Sequence, residues 1–334
     1  HCNDLVQTLI KQDACALGTP NEDEKDLART AQITASSYRD HLAVTQADRH
    51  YSLAHDIGIS LPVEKRLEQL SFLIDVSKDS QLTIEIHSVS KPQNHVPHQK
   101  LAEASVPIEK GLCQWVDARF ELNFEQRQNV FVVLKANKEV DLHLSQTPLS
   151  GVLCFAKIVA QNSGDGNEGS NTQALRVWNP KPLQRSAVCL TLEPETGVYA
   201  PRQITNGWLR PWAGPNLWLS KPLTEDAEPW IEMRWDQPQR IREVLLTFNN
   251  DVNEDLINLH HHRTPFRVIP ELVKDYALEA EVKGEWQTIE HVFGNRRRRR
   301  AHHLSGENLN ALRLKVLSTN GGPCAELIEL RAYS

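Results

Sequence analysis

From residue 27 to about residue 160 the hydrophobic and polar positions alternate with a period of two. LSFLIDV sets Leu70, Phe72, Ile74 and Val76 on one face, and LTIEIHS does the same with Leu82, Ile84 and Ile86. ARFELNF, NVFVVLKA and VDLHLS continue the habit, separated by short polar turns. Alternating strands at this spacing predict an antiparallel sandwich rather than a run of strand–helix–strand units. The second half repeats the pattern. WIEMRWD directs Ile231, Met233 and Trp235 to one side, and a turn is expected at Gln237-Pro238. IREVLLTF then points Val244, Leu246 and Phe248 inward. YALEAEV, EWQTIEHVF, ALRLKVL and ELIELRAY supply further strands, the last two returning the C-terminal region to the sheet.

Two segments break the period. Residues 1–17 carry Leu5, Leu9 and Ile10 at helical spacing, so a short amphipathic helix is expected there, stopped by Gly18 and Pro20. Residues 161–173 are small and polar, the composition of a linker. The reading is therefore all-β: two tandem antiparallel β-sandwiches of jelly-roll type, with a short N-terminal helix. An N-terminal helix and acidic loop would occupy 1–26, a first sandwich 27–160, a Gly/Ser/Asn linker 161–173 and a second sandwich 174–334.

The linker contains G-D-G-N-E-G at 164–169, which spells the dinucleotide-binding pattern G-x-G-x-x-G. That pattern needs a helix opening from it. Pro180 and Pro182 close off any such helix, so a flexible joint is expected. The net charge of −6 makes nucleic acid a poor partner. No apolar run reaches the length of a membrane-spanning helix. The six cysteines form no C-x-x-C pair, and buried free thiols are expected of them.

Three constellations could carry chemistry. Trp208, Arg210 and Trp212 cluster in a Pro/Gly-rich loop, where aromatic rings could stack on a sugar and a guanidinium could bond its hydroxyls. RRRRR at 296–300 cannot enter a core unpaired. It predicts a hairpin or edge strand with Arg296, Arg298 and Arg300 facing one way and Arg297 and Arg299 the other; Arg297 and Arg299 are placed at an anion site, against the alternative of a solvated edge. His260–His262 and His302–His303 could meet at a metal ion. Adjacent histidines on a strand point to opposite faces, however, so His261 and Arg263 are placed instead at a ligand or a neighbouring domain. No nucleophile–base–acid set stands out, and no catalytic residue is assigned.

The second half resembles the discoidin-type, galactose-binding-like β-sandwich. The resemblance is carried by APRQITNGWLRPWAGPNLWLS (200–220), WIEMRWDQPQRIREVLLTF (230–248), EWQTIEHVFGN (285–295) and LNALRLKVLSTNGGPCAELIELRAY (309–333). It implies a binding role toward glycans, lipid headgroups or proteins. It also implies a structural calcium at Thr205 and Asn206 with Glu329. A second resemblance spans nearly the whole chain. DLARTAQITASSY (26–38) and LVKDYALEAEVKGEWQTIEHVFGNRRRRRAHHL (272–304) are similar to the C-terminal part of a family of bacterial FAD-dependent oxidoreductases. That likeness implies a non-catalytic accessory region, with FAD held by an upstream flavin domain and no cofactor in this chain. The functional expectation is a region that binds carbohydrate or a small anionic ligand. A free-standing carbohydrate-binding module, or a hydrolase or lyase with a site between the sandwiches, remains the alternative.

Overall fold

The computed structural model describes residues 20, 23–92, 95–157, 177–250, 253 and 266–334. The expected helix at 5–17, the linker at 161–173 and its glycine motif lie outside them. The described chain is built of antiparallel strands and three short 3-10 turns. No helix among the described residues is long and apolar enough to cross a membrane.

The fold divides into two compact units, and the division is nested rather than serial. One unit is His41–Thr196. The other joins the residues up to Asp40 to Gly197–Ser334. The described residues 23–40 thus belong to the later sandwich. Its strand β1 (Gln32–Ala35) pairs with residues Ile231–Arg234.

The unit His41–Thr196 contains β2 (Ala43–Val44), β3 (Arg49–Ser52), β4 (Ile57–Val63), β5 (Arg66–Val76) and β6 (Ser80–Ser88). There follow β7 (Lys100–Ile108), β8 (Gly111–Asn123), β9 (Gln128–Leu134), β10 (Val140–Ser145) and β11 (Leu153–Lys157). It ends with β12 (Trp178–Asn179), β13 (Ala187–Val188) and β14 (Leu190–Glu193). One sheet runs β13-β10-β5-β14-β2, with β3 on β10 and β8 on β5; the other runs β12-β11-β4-β9-β6-β7. The alternation read from LSFLIDV and LTIEIHS holds, since Leu70, Phe72, Ile74, Leu82, Ile84 and Ile86 are all fully buried. The strand β9 departs from it. Val130 to Leu134 are buried on both faces, as in a central strand covered on each side. Gly58 in β4 leaves room for the Phe131 ring, which a Cβ there would approach to 2.3 Å. Phe131 packs edge-on against Trp178 at 5.1 Å.

The other unit adds β15 (Trp218–Pro222), β16 (Trp230–Arg240), β17 (Glu243–Phe248), β18 (Val273–Val282), β19 (Glu285–Val292), β20 (Arg299–His303), β21 (Asn308–Thr319) and β22 (Cys324–Tyr333). Its sheets are β1-β16-β21-β18-β19 and β15-β22-β17-β20. Ile231, Met233 and Trp235 meet Val244, Leu246, Phe248, Leu327 and Leu330 in the core between them. Each such side chain contributes roughly 1.5–3 kcal/mol on burial. The expected turn at Gln237-Pro238 is instead a bulge. The strand β16 runs on to Arg240, and its register against β21 shifts between Arg234 and Gln239. Proline is tolerated at such a place because no ladder donor is needed there.

The linear boundaries drawn from sequence therefore differ from those of the sheets at both ends. Residues 27–40 were assigned to the first sandwich but are bound into the second. The Trp218 and Trp235 indoles donate to the carbonyl oxygens of Ser37 and Leu27 at 2.9 and 2.8 Å. Asp26 accepts from the backbone of both Ala28 and Ala332 at 3.0 Å. Conversely, β13 and β14 at 187–193 complete the first sandwich by pairing with β10 and β5. Cys154, Cys189 and Cys324 are buried free thiols as expected, whereas Cys113 is exposed.

One buried histidine sets a pH limit on the unit His41–Thr196. His95 is 6% exposed, and its Nδ1 lies 2.8 Å from the Ser60 hydroxyl. Burial pushes its imidazole down to about 4. The unfolded chain binds this proton near the ordinary value of about 6.5, so the folded state is favoured above 6.5 and loses that advantage as pH falls toward 4. Denaturant unfolding across that window is expected to show a loss of about 3 kcal/mol from this group. In His95→Gln that part of the pH dependence should disappear.

Candidate functional site

The site is built by a loop and an edge strand of the second sandwich. The loop follows a 3-10 turn at Pro201–Thr205 and is fixed by two asparagines. Asn206 accepts from the Trp208 backbone N–H at 2.9 Å, closing an Asx turn. Its amide also donates to Gln203 and Asn216 at 3.0 and 3.2 Å. Asn216 is fully buried, with φ at 52°, a left-handed conformation that asparagine accepts more readily than most residues. Its amide nitrogen lies 3.0, 3.3 and 3.4 Å from the carbonyl oxygens of Trp212, Gly214 and Arg210. The loop is thus folded around a buried side chain and not merely held at its ends.

Within this frame the Trp208 and Trp212 rings stack, with centroids 5.5 Å apart and planes 9° from parallel. Both are half-buried, as is Arg210. A ring stacked on its neighbour has one face left to offer. Trp218 is fully buried in the core.

The arginine run leads into the sheet edge: Arg299 and Arg300 open β20, which lies outermost beside β17. The alternation expected of it holds from Arg297 onward. Arg297 and Arg299 are exposed, whereas Arg298 and Arg300 are half-buried and His302 is buried. Arg298 Nη2 donates to the Leu209 carbonyl oxygen, which ties the arginine run to the tryptophan loop. The charge of Arg300 acts on the Tyr276 hydroxyl, against the burial that raises it.

The two features border one cleft of about 530 Å³, floored by Leu245 and Thr247 of β17 and rimmed by Leu209. Arg297, Arg299 and Arg331 are among its lining residues, with the acidic Asp23 and Glu329; Arg300 reaches the lining from the opposite, core-facing position of β20. Both carboxylates are already engaged. Glu329 Oε1 accepts from Arg331 Nη2 at 2.6 Å, and Asp23 Oδ2 accepts from the Tyr333 hydroxyl at 3.1 Å. Burial works against the charge on Arg331. The hydrogen bond and field of Glu329 outweigh it, so the guanidinium is held above its usual range.

The structure brings together Arg297, Arg299 and the backbone between the two tryptophans; the indole rings and Arg210 stand beside the cleft rather than in its lining. His261 and Arg263 lie outside the described residues. The residues expected as calcium ligands each make hydrogen bonds within the fold. Asn206 spends its side chain on the loop, and Thr205 donates to the Arg202 carbonyl oxygen at 3.3 Å. Glu329 pairs with Arg331. His302 is likewise committed. Its Nε2 lies 3.0 Å from the Tyr276 hydroxyl and its Nδ1 2.6 Å from Glu290. Burial pushes the Tyr276 hydroxyl up to about 12. Its neighbour His303 is exposed on the opposite face, as adjacent strand positions require. Arg331 escaped the sequence reading. Its signal was present in ELIELRAY, because the register opposes Leu245 to Arg331 and Thr247 to Glu329 on the face that carries Arg299.

No protein-family model and no curated protein matches the sequence. Three solved structures illustrate the likenesses found. A family 32 carbohydrate-binding module from Streptococcus pneumoniae EndoD is 19% identical, with a TM-score of 0.33, covering 42% of this chain and 90% of that one. A chitosan-binding module from a Paenibacillus sp. IK-5 chitosanase/glucanase is 12% identical, with a TM-score of 0.27, covering 35% and 76%. The family 32 module of Clostridium perfringens NanJ, in complex with galactose, is 10% identical, with a TM-score of 0.26, covering 35% and 76%. At these identities and scores, what the cleft binds has to be read from its own residues.

Asn216→Ala should remove the centre of the loop. Several carbonyl groups lose their donor, which is expected to lower stability by about 2–3 kcal/mol in denaturant unfolding. The tryptophan fluorescence of the folded variant should change as the Trp208–Trp212 stack loosens.

Proposed function

We propose that the second sandwich is a non-catalytic binding module for carbohydrate, and that its ligand carries a carboxylate or sulfate group. The observation that carries this is the junction of Arg298 with the Leu209 carbonyl oxygen. It sets a row of guanidinium groups and a paired-tryptophan loop around the same cleft. Planar guanidinium forks suit the oxygen pairs of carboxylates and sulfates, and an indole face suits the apolar face of a pyranose ring. With Glu329 paired to Arg331, the exposed Arg297 and Arg299 leave the lining cationic, which favours an anion. The commitment of Asp23 and Glu329 to Tyr333 and Arg331 supports binding over hydrolysis. Glycosidic cleavage needs two carboxyl groups available to the substrate as acid and base or nucleophile. The setting of the module beside a flavin domain rests on the sequence resemblance alone.

Titration of the protein with glucuronic or galacturonic acid oligomers, sulfated sugars and their neutral counterparts tests this reading through tryptophan fluorescence. The acidic ligands should give a saturable shift that weakens as salt is raised. Arg297→Ala and Arg299→Ala should each weaken binding about tenfold or more, the scale of a charge-assisted hydrogen bond. Trp208→Ala or Trp212→Ala should abolish the fluorescence response. A folded protein that responds to none of these sugars would overturn the proposal.

A further inference from the structure

The other unit holds a separate constellation that no sequence motif announces. β3, β10 and β5 are neighbours in one sheet. His50 and His143 are direct partners across β3 and β10. Asp75 of β5 pairs with Asp141, which places it diagonal to His143 two residues along. His143 Nε2 lies 2.9 Å from Asp75 Oδ1, and His50 Nδ1 lies 3.2 Å from Asp75 Oδ2. The two imidazole rings are 4.2 Å apart, tilted by 53°. One donor atom from each of the three residues falls within 4.8 Å of the others.

We propose that His50, Asp75 and His143 form a binding site for a divalent transition metal of the zinc class. A tetrahedral ion with bonds of about 2.0–2.2 Å requires neighbouring donor atoms about 3.4 Å apart. The two nitrogens lie 2.9 and 3.2 Å from the two oxygens of the Asp75 carboxylate, and one donor atom from each residue falls within 4.8 Å of the others, so side-chain rotation can bring the three onto one ion. Two imidazole nitrogens and one carboxylate oxygen are a borderline donor set, suited to zinc rather than calcium or magnesium. The three ligands stand on sheet strands, whose backbone is fixed by ladder bonds, so little ordering is needed on binding. Burial of His143 closes one side of the cluster, while the His50 side chain is 56% exposed and gives an ion a route in. The backbone N–H of Cys113 donates to Asp75 Oδ1 at 2.6 Å and orients the carboxylate from outside the cluster. Three protein ligands leave a fourth position for water or an exogenous anion, the arrangement of a reactive rather than a purely structural zinc.

Zinc binding to the metal-free full chain, measured by equilibrium dialysis, tests the proposal. The background is set by a variant with His260, His261 and His262 all changed to alanine, so that their imidazoles do not contribute. In that background the chain should bind one more equivalent of zinc than a chain that also carries His50→Ala, or its affinity should fall by at least about tenfold in the latter. His50 is exposed, so its loss should leave the fold intact, which circular dichroism checks. Cobalt(II) should give the intense visible bands of a tetrahedral site with imidazole ligands, lost in His50→Ala and in Asp75→Asn. Equal stoichiometry and affinity with and without His50, or cobalt spectra showing only the hydrated ion, would overturn the site.

Discussion

Five consecutive guanidinium groups cannot all be placed in a protein interior, and the second sandwich is arranged around that constraint. The run leads into the outer edge of a sheet, where β20 has a neighbour on one side only. Strand alternation then sorts the charges. Arg298 and Arg300 are half-buried; Arg298 Nη2 donates to the Leu209 carbonyl oxygen, and Arg300 lies beside Tyr276. Arg297 and Arg299 are exposed, and the buried Arg331 of β22 lines the same cleft. The edge is closed to further strand pairing by its charge, and the same charge creates the anion-seeking cleft. Stability and recognition here come from one placement.

The tryptophan loop depends on that placement from the other direction. A Pro/Gly-rich segment has little structure of its own, and this one is shaped by two asparagines that replace the missing backbone pairing with side-chain bonds. Arg298 adds a tether to the sheet edge. The rings of Trp208 and Trp212 are therefore presented by a preformed loop, which lowers the ordering cost of any ligand that stacks there.

The strands were legible in the sequence because one-sided burial imposes a period of two. Leu70, Phe72 and Ile74 in one unit and Ile231, Met233 and Trp235 in the other fall where the alternation places them. The edge position of the arginines was legible for the same reason, as was the opposite exposure of His302 and His303. What escaped was set by pairing across long stretches of chain. Nothing near Gln32–Ala35 states that its partner lies some 200 residues on, and the apolar run of β9 hides its centrality. Asn206 and Glu329, the calcium ligands that the resemblance implies, make hydrogen bonds that no local spacing announces, to Gln203 and to Arg331. His50, Asp75 and His143 come from three strands brought side by side only by sheet order, so no local spacing could show them.

The nesting of one unit inside the other bears on how the molecule is made. By the time Thr196 leaves the ribosome, every described strand of the inner unit has been synthesised, and that unit can condense on contacts drawn from its own contiguous chain. The outer unit cannot. β1 must wait for β16, and Asp26 for the backbone of Ala332, so its early segment stays uncommitted through most of synthesis. Closing loops of that length is slow. The order of assembly is thus written into the topology, with the cleft of the outer sandwich completed last, when β22 inserts between β15 and β17.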